Sequence, residues 1–129
     1  PCCMLLIDID DFKKFNDQYG HQTGDQVLIT MSDSIKECAR ETDITARWGG
    51  EEFVILCPST ALNDALNLAK RFQDIIQETS IENIKQVTCS IGVAELGQDE
   101  TESQWFANAD KAMYQAKANG KNQVQISST

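Results

Sequence analysis

Residues 4–9, MLLIDI, make a short apolar run that ends in acids, the mark of a buried strand. The next stretch, 10–25, is polar and predicts at most a short helix before Gly20. Thr23 and Gln26 then have capping-box spacing. Behind them Val27, Leu28, Met31, Ile35, Cys38 and Ala39 recur at helical period. ITARW (44–48) and FVILC (53–57) flank Gly-Gly-Glu-Glu, which reads as a hairpin. Pro58 precedes a second amphipathic helix, marked by Leu62, Ala65, Leu66, Ala69, Phe72, Ile75 and Ile76. QVTCSIGVAEL (86–96) is strand-like. Trp105, Phe106, Ala109, Ala112, Met113 and Ala116 mark a third helix, stopped at Gly120. QVQIS (123–127) alternates as a last strand. The order strand, helix, hairpin, helix, strand, helix, strand predicts an α+β fold. Its sheet is mainly antiparallel, with helices packed on the faces. No repeat, linker or low-complexity tract divides the chain, so residues 1–129 read as one domain.

The hairpin is chemically odd. Glycine is disfavoured in strands, and adjacent carboxylates repel unless something positive lies between them. Gly49 and Gly50 are expected to supply the positive φ that tight turns need. Asp8 and Asp10 leave the end of the first strand; if the hairpin lies beside it, Asp8 and Glu51 meet at one rim of the sheet. Carboxylates gathered there suit a hard cation such as Mg²⁺ or Mn²⁺, held jointly with substrate phosphates. The neighbouring glycines let a phosphate chain approach the backbone. Each piece alone has a plainer reading: Gly-Gly as a turn, Glu-Glu as a solvated rim, Asp8 as an ordinary strand end.

Charge narrows the choice. The chain carries 20 acidic and 11 basic residues, a net charge of −9, which argues against a surface that coats a nucleic-acid polymer. No apolar run approaches the length of a membrane span, so no direct membrane contact is expected from this segment. The five cysteines, Cys2, Cys3, Cys38, Cys57 and Cys89, form no CxxC pair or zinc spacing and read as small core residues of a reduced, cytoplasmic protein. The single histidine, His21, excludes a histidine-rich metal site.

Four segments in order and spacing, LIDIDDFKKFNDQYGHQTGDQVL, ARWGGEEFVIL, SIGVAE and ADKAMYQAKANGKNQV, make the chain resemble the diguanylate cyclase family of bacteria, named for its Gly-Gly-Asp/Glu-Glu-Phe signature. The likeness covers essentially the whole chain. It implies a palm-like βαββαβ core similar to nucleotidyl cyclases. It also implies a homodimer that joins two GTP into cyclic di-GMP and releases two pyrophosphates. Asp8, the Ile9 carbonyl and Glu51 would hold two Mg²⁺ or Mn²⁺ per GTP. Glu51, Glu52 and Lys13 would be catalytic, with Glu51 also the base for the 3′-hydroxyl. Asn16 and Asp25 match a guanine-reading pair, since an amide and a carboxylate complement guanine's O6, N1–H and N2–H. Loop capping is their alternative.

Lys13, Lys117 and Lys121 match cationic positions on the phosphates, against the plainer reading of solvated lysines; the family often has arginine where Lys121 stands. Backbone amides around Asp11 and Phe12 would cradle phosphate at a helix start. Gly49 and Gly50 would line the substrate, and His21 matches a substrate-side position or a structural loop residue. Arg40-Glu41-Thr42-Asp43 matches an RxxD inhibitory product site, with a helix-end ion pair as its alternative. Arg71 matches a secondary arginine for the same ligand.

Family domains begin with an earlier helical segment carrying an Asp-x-Leu-Thr-Gly-Leu-like motif. The resemblance therefore places the first helices outside this sequence and leaves sheet surface uncovered. Upstream segments would carry the sensory module and any membrane anchor. The competing function class is a binding module, catalytically weak, that takes GTP or cyclic di-GMP as a regulatory ligand. Intact Asp8, Asn16, Asp25, Glu51 and Glu52 favour the enzyme.

Overall fold

In the computed structural model, which describes residues 1–81 and 87–127, the strand predicted at the start of the chain is β1 (Cys3–Ile9). All seven of its residues are buried, because it is central and covered on both faces. Helices α1 (Phe12–Tyr19) and α2 (His21–Cys38) follow, then the hairpin β2 (Ile44–Arg47) and β3 (Glu52–Cys57). After it come α3 (Leu62–Glu78), β4 (Cys89–Glu95), α4 (Glu102–Ala118) and β5 (Val124–Ile126). The strand predicted over 86–96 starts at Gln86, which lies outside the described residues; its observed part is β4.

The sheet order is β2-β3-β1-β4-β5. All pairings are antiparallel except β4 with β5, which is parallel because α4 crosses over between them. Side-chain alternation gives the sheet two apolar faces. Leu5, Ile7, Ile9, Phe53, Ile55, Ile91 and Val93 meet Val27, Met31 and Ile35 of α2 and Ala69, Phe72 and Ile76 of α3. Met4, Leu6 and Ala94 meet Trp105, Ala109 and Met113 of α4 on the other side. Gly92 makes that second contact close. A Cβ there would stand 2.2 Å from the Ala109 carbonyl oxygen, so only glycine lets α4 lie directly on β4. Trp105 donates its indole N–H to the Ala94 carbonyl at 2.9 Å, pinning the helix from its other end.

Because α4 lies over β1, β4 and β5, part of that face beside β3 is uncovered. A cleft of about 530 Å³ remains there, lined by Met4, Trp48, Val54, Leu56 and Phe106 among others. Trp48 packs on Phe106 at its rim, ring centroids 5.3 Å apart.

Two local expectations are corrected. Gly49 and Gly50 do not take the positive φ expected of the hairpin turn; among the described residues the positive-φ glycines are Gly20 and Gly120. The helix read as starting at Thr23 starts at His21, so the Thr23/Gln26 spacing lies inside α2 and is no cap. Gly20, at φ 92°, ends α1 and opens α2 at once, a conformation that glycine adopts cheaply. The capping box is instead at Thr101 and Gln104, with both reciprocal bonds formed (3.2 and 2.9 Å). The cysteines are core residues as expected: Cys3, Cys38, Cys57 and Cys89 are buried and all five are free thiols. Burial pushes the Cys3 thiol up to about 11 and that of Cys57 to about 12, which keeps them unreactive.

Candidate active site

The β1–β3 register sets Asp8 opposite Glu52, and the Ile9 amide donates to the Glu51 carbonyl at 3.3 Å. Asp8, Ile9, Glu51 and Glu52 therefore share one rim of the sheet, where the turn that holds Gly49 and Gly50 closes over the end of β1. Asp8 is only 6% exposed. Burial raises its carboxyl to about 6; nearby Glu51 and Glu52 push the same way, and Lys117 offsets part of the rise. Lys117, on α4, brings Nζ to 3.0 Å from Asp8 Oδ1. The contact is an ion pair outside hydrogen-bond geometry, and Oδ1 is a buried oxygen with no hydrogen-bond donor. A desolvated carboxylate with a spare lone pair, flanked by two further acids, fits a hard cation.

Among the described residues, no three or more His, Cys, Asp or Glu converge as a metal cage. Asp8, Glu51 and the Ile9 carbonyl could supply only part of a ligand set, which Mg²⁺ would have to complete with phosphate oxygens and water.

Asp10 leaves the same strand end but is engaged otherwise. It accepts hydrogen bonds from Thr88 Oγ1, Ser90 Oγ and the Asn122 amide at 2.8, 2.6 and 2.9 Å. Next to it α1 begins at Phe12, whose ring enters the core while Asp11 takes a left-handed φ of 55°. No side chain caps this helix start, so its first amides are open to an anion. Lys121 Nζ reaches Asp11 Oδ1 across it at 2.7 Å, and Lys13 stands exposed on its first turn.

Asn16 is brought to α2 by a second close approach. A Cβ on Gly24 would lie 1.7 Å from Asn16 Oδ1, an oxygen that is buried and without a hydrogen-bond partner. Asn16 therefore sits beside the residue before Asp25. Asp25 in turn lines an open cleft of about 400 Å³ with Leu28, Ile29, Ser32, Arg47 and Phe53. His21 is exposed at the start of α2, one helical turn before Asp25. Arg47 ties this cleft to the turn. Its guanidinium donates to the Gly49 and Gly50 carbonyls, the shortest bond being 2.6 Å. Gly24 and Arg47 were not singled out from the sequence, and Asp10 was read only as a second acid at the strand end, whereas its hydrogen bonds tie it to Thr88, Ser90 and Asn122. Only Arg47 left a local signal, a fixed cation two residues before the Gly-Gly turn.

Arg40, Asp43 and Arg71 come together away from this rim. Asp43, its side chain fully buried, accepts from the Arg40 amide at 2.8 Å and from the guanidinium at 3.4 Å, and Arg40 also contacts Thr60 Oγ1. Arg71 on α3 donates to the Cys38 carbonyl at the end of α2, at 2.8 Å. Arg40 and Arg71 line one cleft of about 350 Å³ with Thr60, Asp64, Asn67 and Leu68. The helix-end ion pair exists, and it presents the arginine to that cleft.

Residues 1–123 match the family described as Diguanylate cyclase, GGDEF domain. The chain is 45% identical over 121 residues to diguanylate cyclase DgcM of Escherichia coli, covering 94% of this chain but 30% of that protein's length. In solved structures it is similar to the active GGEEF domain of a diguanylate cyclase from Vibrio cholerae (TM-score 0.94, 32% identity, 99% of this chain and 83% of that one). It is equally similar to the GGDEF domain of DgcB from Caulobacter crescentus in complex with c-di-GMP (TM-score 0.94, 32% identity, 99% and 78%). The sheet order, the acids at its rim and the match along nearly the whole chain agree: the chain belongs to the GGDEF-domain diguanylate cyclase family.

Proposed function

We propose that this domain is a diguanylate cyclase that converts two GTP into cyclic di-GMP and two pyrophosphates. The observation that carries the proposal is the buried Asp8 carboxylate, ion-paired to Lys117 and set on one sheet rim with Glu51 and Glu52. Asp8, the Ile9 carbonyl and Glu51 would hold two divalent cations, Mg²⁺ or Mn²⁺, per GTP. Bound there, the metals supply charge neutralisation on the α-phosphate and the leaving pyrophosphate.

The protein's own groups do the rest. Asn16 and Asp25 read the guanine edge, with His21 exposed nearby on the same side. Gly49 and Gly50 let the triphosphate approach the turn. Lys13, Lys117, Lys121 and the amides at Phe12 hold its charge. The 3′-hydroxyl oxygen of one GTP attacks the α-phosphorus of the other. A new P–O bond forms as the bond to pyrophosphate breaks, and the hydroxyl proton passes to Glu51. Glu52, opposite Asp8, adds negative charge beside the metals. One domain holds one GTP, so two domains must face each other in an antiparallel pair to make both bonds. Arg40, Asp43 and Arg71 form the inhibitory product site, where forked arginines suit the phosphates and guanine edges of cyclic di-GMP. The domain works in the bacterial cytoplasm, whether or not further segments anchor its parent protein to a membrane.

The test is incubation of concentrated protein with GTP and Mg²⁺ and chromatography of the products. Cyclic di-GMP should appear in the wild type. With Glu51→Gln, which keeps volume but removes a ligand charge and the base, it should fall by at least a hundredfold. Near-normal product from Glu51→Gln would refute the assignment of the rim.

A further inference from the structure

Asp10 lies two residues from Asp8, yet three of its roughly four lone-pair sites are already filled by hydrogen bonds. Two of the donors, Thr88 and Ser90, belong to the β4 side of the sheet. The third is the main chain of Asn122, in the turn between α4 and β5. That turn is conformationally expensive. After Gly120 at φ 118°, both Lys121 (φ 63°) and Asn122 (φ 50°) are left-handed, a region that residues with a Cβ avoid. Two such residues in succession persist only where their surroundings over-determine them. Asp10 holds the turn from one side. Gln73 and Gln77 of α3 hold it from the other, donating to Asn122 Oδ1 at 3.1 and 2.7 Å. The consequence is placement: the Lys121 ammonium stands over the uncapped start of α1, against Asp11.

We propose that Asp10 is a positioning residue. It locks the left-handed Lys121–Asn122 turn so that Lys121 is pre-set over the α1 amides, where the nucleotide's terminal phosphates are received. This role rests on the nucleotide reading above, and assigns Asp10 to phosphate recognition through Lys121 and not to the metal ligands. Pre-set charge loses less freedom on binding than a lysine on a loose turn.

The first measurement uses ligand-free protein and amide hydrogen exchange. Asp10→Ala should speed exchange at Asn122 at least tenfold while β1 amides stay protected. Asp10→Asn should stay near wild type, since its amide oxygen still accepts from Asn122 and Ser90 Oγ can turn to accept from its NH₂. The second measurement is calorimetric titration with GTP and Mg²⁺, and separately with guanosine. Asp10→Ala and Lys121→Ala should each weaken GTP about tenfold and leave guanosine unchanged, and the double variant should be no weaker than either single. Asn122→Ala loosens the same turn without touching the end of β1, and should copy Asp10→Ala if that variant folds poorly. Equal losses for GTP and guanosine, or additive single effects, would reduce Asp10 to a plain staple of the sheet. A wild type that binds no GTP would sink the nucleotide reading and this role together; GTP binding left intact by Asp10→Ala would sink this role alone.

Discussion

Asp8 carries a desolvation cost that Lys117 offsets only in part. Its carboxyl, ordinarily near 3.8, is raised to about 6 by burial. The folded protein therefore holds that proton more tightly than the unfolded chain. The stabilisation is full below about pH 4 and lost as pH rises through about 6. Asp8→Asn removes the buried charge and should raise the metal-free stability at pH 8 by about 1–2 kcal/mol, the full shift being discounted for water at the sheet rim. It should also abolish Mg²⁺-dependent GTP binding. In the wild type that binding should fall about tenfold per unit as pH drops below 6, because the proton and the cation compete for one carboxylate. Thermal melts of both proteins from pH 4 to 8 check the first point; a stability difference that is flat with pH would overturn it. Asp8, Glu51 and Glu52 were legible because each sits in a short contiguous motif. The role of Asp10, read only as a second acid at the same strand end, was not, because its donors are 78, 80 and 112 residues away and a strand-end acid shows nothing of them.

Among the elements, the contact of α1 with α2 shapes the cleft proposed for the nucleotide, and Gly24 is its seat. Alanine is the better helix former there by about 1 kcal/mol, and the atom it would strike is the far end of the Asn16 side chain, not backbone. Gly24→Ala should therefore melt no lower than wild type while Asn16 is driven out of place. GTP affinity should drop about tenfold, with discrimination against ATP reduced, read by titration with both nucleotides. A variant that melts lower and binds normally would put the contact in the core and not in the site. Element types followed from periodicity because the long apolar faces of α2, α3 and α4 and the wholly buried β1 leave strong patterns. Boundaries were less legible. Thr23/Gln26 and Thr101/Gln104 have the same spacing, and the chain uses only the second as a cap. At the first, Gly20 already turns the chain three residues before Thr23, and no side-chain rule anticipates a glycine shared by two helices.

For the molecule as a whole, one domain presents one rim of acids, one cleft proposed for guanine and one helix start with lysines beside it. The proposed reaction needs two of each, because each GTP is both attacker and target. Two copies that each carry a net charge of −9 repel, so their encounter is weak unless the bound metals and lysines offset the charge across the gap. Without a tether between two copies, the second site is supplied only at the concentration of free protein. Specific activity should then rise in proportion to protein concentration across the dilute range, and level off only where pairs dominate. Fusing the chain to a short parallel coiled coil should raise the dilute rate by two orders of magnitude or more, because the effective concentration within a tethered pair is in the millimolar range. Rates measured from nanomolar to high micromolar protein, alongside sedimentation of the same samples, decide the matter. Full activity per chain in samples that sediment as monomers would rule out the face-to-face pair and require both bonds to be made at a single site.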